Sequence, residues 1–211
     1  MGCGRGEIGA SVRARLPGCT VVGVEANPEL ADEARERLDE VVCGVTSLPF
    51  PPASFDCVLL VDVLAHAPDG ERLLAGARTL LTPDGMLVGT VPTARNVARI
   101  RAVLDGQPSD TLPTGYGRPE LQALLHRVGF ELVGLHRIRD ACASTNPLPM
   151  DGQRSDLELG RVLVMGLDGG LMDDLLAREL VFAARPRIAD QPPIPCSVVI
   201  THGDDLSLIH I

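Results

Sequence analysis

TVVGVEANPELADEARERLDEVVCGV, residues Thr20 to Val45, decides the architecture. Its first six residues form an apolar run closed by an acid, Glu25, as expected of a strand buried within a sheet. Asn27 can cap a helix and Pro28 suits a first helical turn, so Asn27 to Glu40 reads as a helix. Acids and arginines recur along it at i, i+4 spacing, the pattern of a solvated helix face. Val41 to Val45 is short and mostly β-branched, a second strand. Strand, helix and strand in so short a span imply parallel pairing through a crossover helix, and the fold class is α/β.

The same rhythm continues toward the C-terminus. Asp56 to Asp62 (DCVLLVD) is a longer strand, apolar enough for burial on both faces. Gly70 to Leu81 carries apolar residues at helical spacing, TPDG turns the chain, and Met86 to Val91 is again a strand. A helix over ARNVARIRAVL precedes a Pro/Gly/Ser-rich loop. Arg118 to Ile138 reads as helix then strand, with Gly129 at the helix end. Asp140 to Arg154 reads as loop, Leu157 to Leu176 as a helical stretch broken by Gly169 and Gly170, and Glu179 to Arg185 as a strand that pairs antiparallel with the strand before it at the sheet edge.

Composition excludes several function classes. The chain has 211 residues, 45% apolar and 22% charged, with no uninterrupted apolar run long enough to span a membrane. A formal charge of −9 repels polyanions, and 2% aromatic residues leave few stacking platforms, so nucleic acid is not an expected partner. No basic residue is Lys, which removes phosphate-loop and Schiff-base lysines from consideration. Six cysteines without C-x-x-C or Cys/His spacing read as reduced thiols in a cytoplasmic protein, with neither metal site nor disulfide framework.

The chemistry-bearing motif is at the start. Gly2-x-Gly4-x-Gly6 overlaps Gly4-x-Gly6-x-x-Gly9, glycines that let backbone approach a ligand closely before a helix N-terminus. Glu25, closing the next strand, is placed to accept hydrogen bonds from ribose hydroxyls. These features alone fit any adenosine-bearing cofactor, nicotinamide dinucleotides included.

SLPFPPASFDCVLLVDVLAHAPD (Ser47 to Asp69) and LLTPDGMLVGTVP (Leu80 to Pro92) separate the alternatives. With Gly2 to Gly6 and Glu25, in that order, they resemble class I S-adenosylmethionine-dependent methyltransferases, notably the branch with ubiquinone-biosynthesis O-methyltransferases. The resemblance covers Gly2 to Ile138. It implies a Rossmann-like sheet of order 3-2-1-4-5-7-6 with helices on both faces, and S-adenosylmethionine as cofactor. Gly2, Cys3, Gly4 and Gly6 would line the cofactor, Glu25 would hold the ribose, Ala26 would lie against the adenine, and Val45 and Thr46 would border it. Asp62 either faces the cofactor or caps the following helix. His66 either serves as base for a hydroxyl acceptor or simply packs in its loop. Tyr116 and Arg118 fall where relatives place acceptor contacts. Two departures stand out: Gly44 occupies the place of an adenine-contacting Asp, and only Met1 precedes the glycines, so the family's first strand is missing from this chain.

The expected activity is methyl transfer, chiefly to oxygen, on a small-molecule or glycan acceptor; the alternatives are an NAD(P)-dependent oxidoreductase and a non-catalytic S-adenosylmethionine-binding domain. Residues 1–185 form the expected methyltransferase domain and 186–195 a Pro-rich linker. Residues 196–205 resemble the first strand of a GT-A glycosyltransferase, which would be a fused second domain. The final LSLIHI, 206–211, reads as vector-derived sequence.

Overall fold

The computed structural model describes residues 2–44, 49–106, 115–139, 153–159, 162–187, 197–202 and 205–210. The first unit runs α1 (Glu7–Arg15), β1 (Val22–Glu25), α2 (Pro28–Arg35) and β2 (Glu40–Cys43). Asn27 caps α2 as its sequence suggests, its side chain accepting the Glu29 N–H at 2.9 Å, with Pro28 next in line. The helix stops five residues short of the expected Glu40. β1 and β2 pair in parallel, Val22 opposite Glu40 through Glu25 opposite Cys43.

A second, four-stranded sheet has the order β3-β4-β8-β5. Its strands are β3 (Phe55–Leu60), β4 (Leu81–Pro92), β5 (Phe130–Arg139) and β8 (Ala177–Pro186). β3 and β4 are parallel and joined through α3 (Gly70–Leu80); β8 runs antiparallel between β4 and β5, as expected for the last two strands. Thr82 to Gly85 bulge between the Phe55–Leu81 and Cys57–Met86 pairs, so the TPDG turn lies within the bounds of β4.

α3 and α5 (Arg118–Arg127) cover this sheet, burying Leu60, Leu74, Leu87, Leu121, Phe130 and Phe182 in one core. Within the SFD-bearing segment, Phe50 and Phe55 plug that core. Phe50 and Phe55 meet edge to face at 5.1 Å and pack against it. The Ala53 and Ser54 N–H groups bond to the carbonyls of Thr79 and Leu80 at the end of α3. β3 is less buried than its composition suggests: at the sheet edge, Asp56 and Cys57 are exposed and Leu59 is half-buried, while Val58 and Leu60 are buried.

The expected helix over Leu157 to Leu176 is corrected. β6 (Ser155–Leu159) and β7 (Val162–Leu167) form an antiparallel pair, and only α6 (Gly169–Leu176) is helical. SDLEL alternates polar and apolar residues and VLVMGL is a short apolar run, strand patterns on either side of Gly160-Arg161 in the sequence. Leu157, Leu167, Met172, Leu175 and Leu176 form a second core with Val97 and Ile100 of α4 (Val97–Leu104). β9 (Ser197–His202) and β10 (Asp205–His210) pair as a hairpin, so the final residues set aside from the fold are strand-paired. Of the expected Asp140 to Arg154 loop all but the last two residues, and of the linker all but the first two, lie outside the described residues.

β3, β4 and β5 all end on the same edge of the sheet, and β8 begins there, with Pro92 and Ile138 both opposite Glu179. This carboxyl edge carries the candidate site.

Candidate cofactor site

Gly2 to Gly6 form a turn between the two sheets. The Cys3 N–H donates to the Val24 carbonyl of β1 at 2.9 Å, and the Gly6 N–H closes the turn onto the Cys3 carbonyl at 2.9 Å. On the other side, a Cβ added to Gly2 would lie 2.7 Å from Val63 Cγ2, just beyond β3. Gly2, Gly4 and Gly6 have φ of 69°, 54° and 82°, which only glycine adopts without strain. Gly6 caps α1 in the left-handed region and sits against Ala34 and Leu38, and Gly9 packs against Leu38 and Val21. The spacing therefore sets a tight turn and then lets α1 approach the first sheet closely.

Glu25 ties the turn to β1. Its Oε2 accepts the Gly4 N–H at 2.8 Å, and its Oε1 accepts the Ala26 and Asn27 N–H groups at 2.9 and 3.0 Å. Partial burial alone would raise this carboxyl's pKa, but the Asn27, Gly4 and Ala26 N–H groups together outweigh it and hold the pKa below the ordinary value. Glu25 is thus a carboxylate at neutral pH. Three of its roughly four lone-pair positions are used, leaving capacity to accept from a hydroxyl. Cys3 takes the opposite shift: burial first, and then the Glu25 charge, raise its thiol. A thiol kept protonated beside a carboxylate is a turn-filler, not a nucleophile.

Asp62 leaves β3 with φ 56°, a left-handed conformation rare outside glycine. Its N–H donates to Thr90 Oγ1 of β4 at 3.0 Å, and that hydroxyl donates to Asp62 Oδ1 at 3.0 Å. Asp62 does not cap α3: that role belongs to Asp69, whose side chain accepts the Arg72 N–H. His66 is exposed in the turn after Asp62, its N–H bonded to the Val63 carbonyl at 3.1 Å. Gly44 ends β2 at φ 117°, its N–H on the Glu25 carbonyl at 2.8 Å; Val45 and Thr46 lie outside the described residues.

The structure therefore brings together the glycine turn, Glu25 to Asn27, and Asp62 with Val63. The sequence did not single out Val63 or Thr90, because both take their roles from strand register. Tyr116 lies elsewhere, on an open cleft of about 670 Å³ between α3 and α5, shared with Asp69, Glu71, Glu120 and Arg127. Burial raises its phenol pKa. Arg118 opens α5, His126 pairs with Arg187, and His136 is exposed on β5. Among the described residues no helix is long and apolar enough to cross a membrane.

Residues 1–89 match the model of a family described as a methyltransferase domain. That stretch is similar to a methyltransferase domain. The chain's sheet matches the fold of an S-adenosylmethionine-dependent methyltransferase from Thermotoga maritima with a TM-score of 0.60, at 20% identity, over 89% of this chain and 80% of that one. Curated relatives include a ubiquinone biosynthesis O-methyltransferase of Xanthomonas euvesicatoria, 31% identical over 63% of this chain and 61% of the relative. A 24-methylenesterol C-methyltransferase of Oryza sativa is 30% identical over 63% of this chain and 40% of its own length. A transposon-encoded protein of Streptomyces fradiae is 36% identical over 42% of this chain. The chain spans about a quarter to two-fifths of the length of the transposon-encoded protein and of the sterol methyltransferases it matches.

The described residues of the glycine turn and the end of β1 fit an S-adenosyl ligand. A Cβ on Gly4 would meet nothing within 4 Å, so there is open space beside the N–H that Glu25 holds. An ionised acceptor next to a glycine with room before it suits a ribose hydroxyl approaching backbone.

Proposed function

We propose that the protein transfers a methyl group from S-adenosylmethionine to an oxygen of a small-molecule or glycan acceptor, in the cytoplasm. The observation that carries this reading is the Glu25 carboxylate, held by Gly4, Ala26 and Asn27 and still able to accept a hydroxyl. Gly2, Cys3, Gly4 and Gly6 line the cofactor. Ala26 lies against the adenine, which Val45 and Thr46 border, and backbone groups near Gly44 replace the missing acidic contact. Asp62 faces the cofactor from the end of β3. The bound cofactor supplies a methyl group already activated by its sulfonium, so the protein's task is alignment and exclusion of water. His66, after Val63, takes the proton of a hydroxyl acceptor. The ubiquinone-type relative supports oxygen as the methylated atom. Residues 1–185 make up this domain in the proposal, and a glycan acceptor follows if residues 196–205 open a glycosyltransferase domain.

Calorimetry with S-adenosylmethionine tests the cofactor reading, alongside Glu25→Ala. Micromolar binding that weakens at least tenfold in the variant is expected. No binding defeats the proposal, and equal binding by the variant defeats the ribose assignment. Methyl incorporation that survives His66→Ala unchanged removes the base.

A further inference from the structure

We infer that Thr90 is a positioning residue of the cofactor site, whose hydroxyl fixes the left-handed conformation of Asp62 and the direction of its carboxylate. This rests on the reading that places Asp62 at the cofactor. The β3–β4 ladder runs out at Leu60 opposite Gly89, so the Asp62 N–H has no further backbone rung to bond. Thr90, the next residue of β4, supplies the missing partner from its side chain, accepting that N–H and returning its own hydroxyl proton to Asp62 Oδ1. Both bonds act on a residue whose backbone is otherwise strained at φ 56°. They use Oδ1 and leave Oδ2 without a hydrogen-bond partner among the described residues. They also fix the chain one residue before Val63, whose side chain abuts Gly2. One hydroxyl on β4 therefore sets both a carboxylate and the far wall of the glycine turn.

Thr90→Val keeps the shape and removes the hydroxyl, Thr90→Ser keeps the hydroxyl, and Asp62→Gly keeps the left-handed backbone but removes the carboxylate. S-adenosylhomocysteine affinity is the readout, measured by calorimetry, with circular dichroism confirming the fold. Thr90→Val is expected to weaken binding about five- to tenfold, the loss of two modest hydrogen bonds. Thr90→Ser should bind within about twofold of the parent, and Thr90→Val should add less than about twofold once Asp62→Gly is present. Weakened binding by Asp62→Gly with none by Thr90→Val overturns the role of Thr90 alone. A full Thr90→Val loss persisting in the Asp62→Gly background also overturns it, and unchanged binding by Asp62→Gly overturns the placement of Asp62 as well.

Discussion

Asn96→Asp changes one atom in a buried joint and should separate a capping role from a tethering role. Asn96 is 8% exposed. Its Oδ1 caps α4, accepting the Ala98 and Arg99 N–H groups at 2.8 and 3.3 Å, while its Nδ2 donates to the Ala177 carbonyl at 2.8 Å, where β8 begins. A carboxylate keeps the cap and interacts favourably with the helix dipole, by about 0.3–1 kcal/mol. It also replaces the donor by an oxygen facing the carbonyl of a fully buried residue, which costs about 1–3 kcal/mol for the lost bond and the orphaned acceptor. The net expectation is a loss of roughly 1–2 kcal/mol at neutral pH. Asn96→Ala loses the cap as well, about 1 kcal/mol more. Urea unfolding followed by far-ultraviolet circular dichroism measures both, with the slope unchanged. The introduced carboxyl can donate to Ala177 once protonated, so its folded pKa is raised and the deficit should shrink as pH falls. A variant as stable as the parent at pH 7, or a deficit that ignores pH, would refute this account of the joint.

Other outcomes follow from the glycines, Glu25 and the cysteines. Gly89→Ala places a Cβ 2.6 Å from the Phe182 ring and 2.9 Å from the Leu60 carbonyl, and should cost about 2–3 kcal/mol by thermal unfolding. Gly76→Ala, inside α3 with nothing within 4 Å, should stabilise by about 0.5–1 kcal/mol in the same assay. Because the folded pKa of Glu25 is depressed, its contribution is present above the ordinary value of 4.5 and is lost as pH falls through the lower folded value. Protection of the Gly4 amide against hydrogen exchange should fall in that window, and Glu25→Gln should abolish the dependence. Iodoacetamide followed by peptide mapping should label exposed Cys43 well ahead of Cys3.

The sequence made most of this fold legible where one local signal sufficed. Asn27 and Pro28 mark the start of α2, Gly129 the end of α5, and short apolar runs mark β1, β3 and β8. The placement of Glu25 beside the glycine turn was legible because it closes the strand that follows that turn. The hairpin at Ser155 to Leu167 was missed because apolar residues followed by a real helix, α6, read as one interrupted helical pattern. The pairing of Thr90 with Asp62 had no local signal: it depends on β3 and β4 being in parallel register. The motif around Phe50 and Phe55 is a core plug tied to the end of α3, well apart from the glycine turn in sequence and serving packing rather than chemistry.

The insertion of β8 between β4 and β5 has a consequence for how such a chain can diversify. Arg139 and Ala177 are direct partners across that pair, so everything from 140 to 176 departs from and returns to a single point on the carboxyl edge. Lengthening that excursion alters closure entropy only slowly and leaves the registers of β3, β4, β8 and β5 in place. The segment can therefore grow by insertion between its packed elements, while the four-stranded sheet and the glycine turn stay the same.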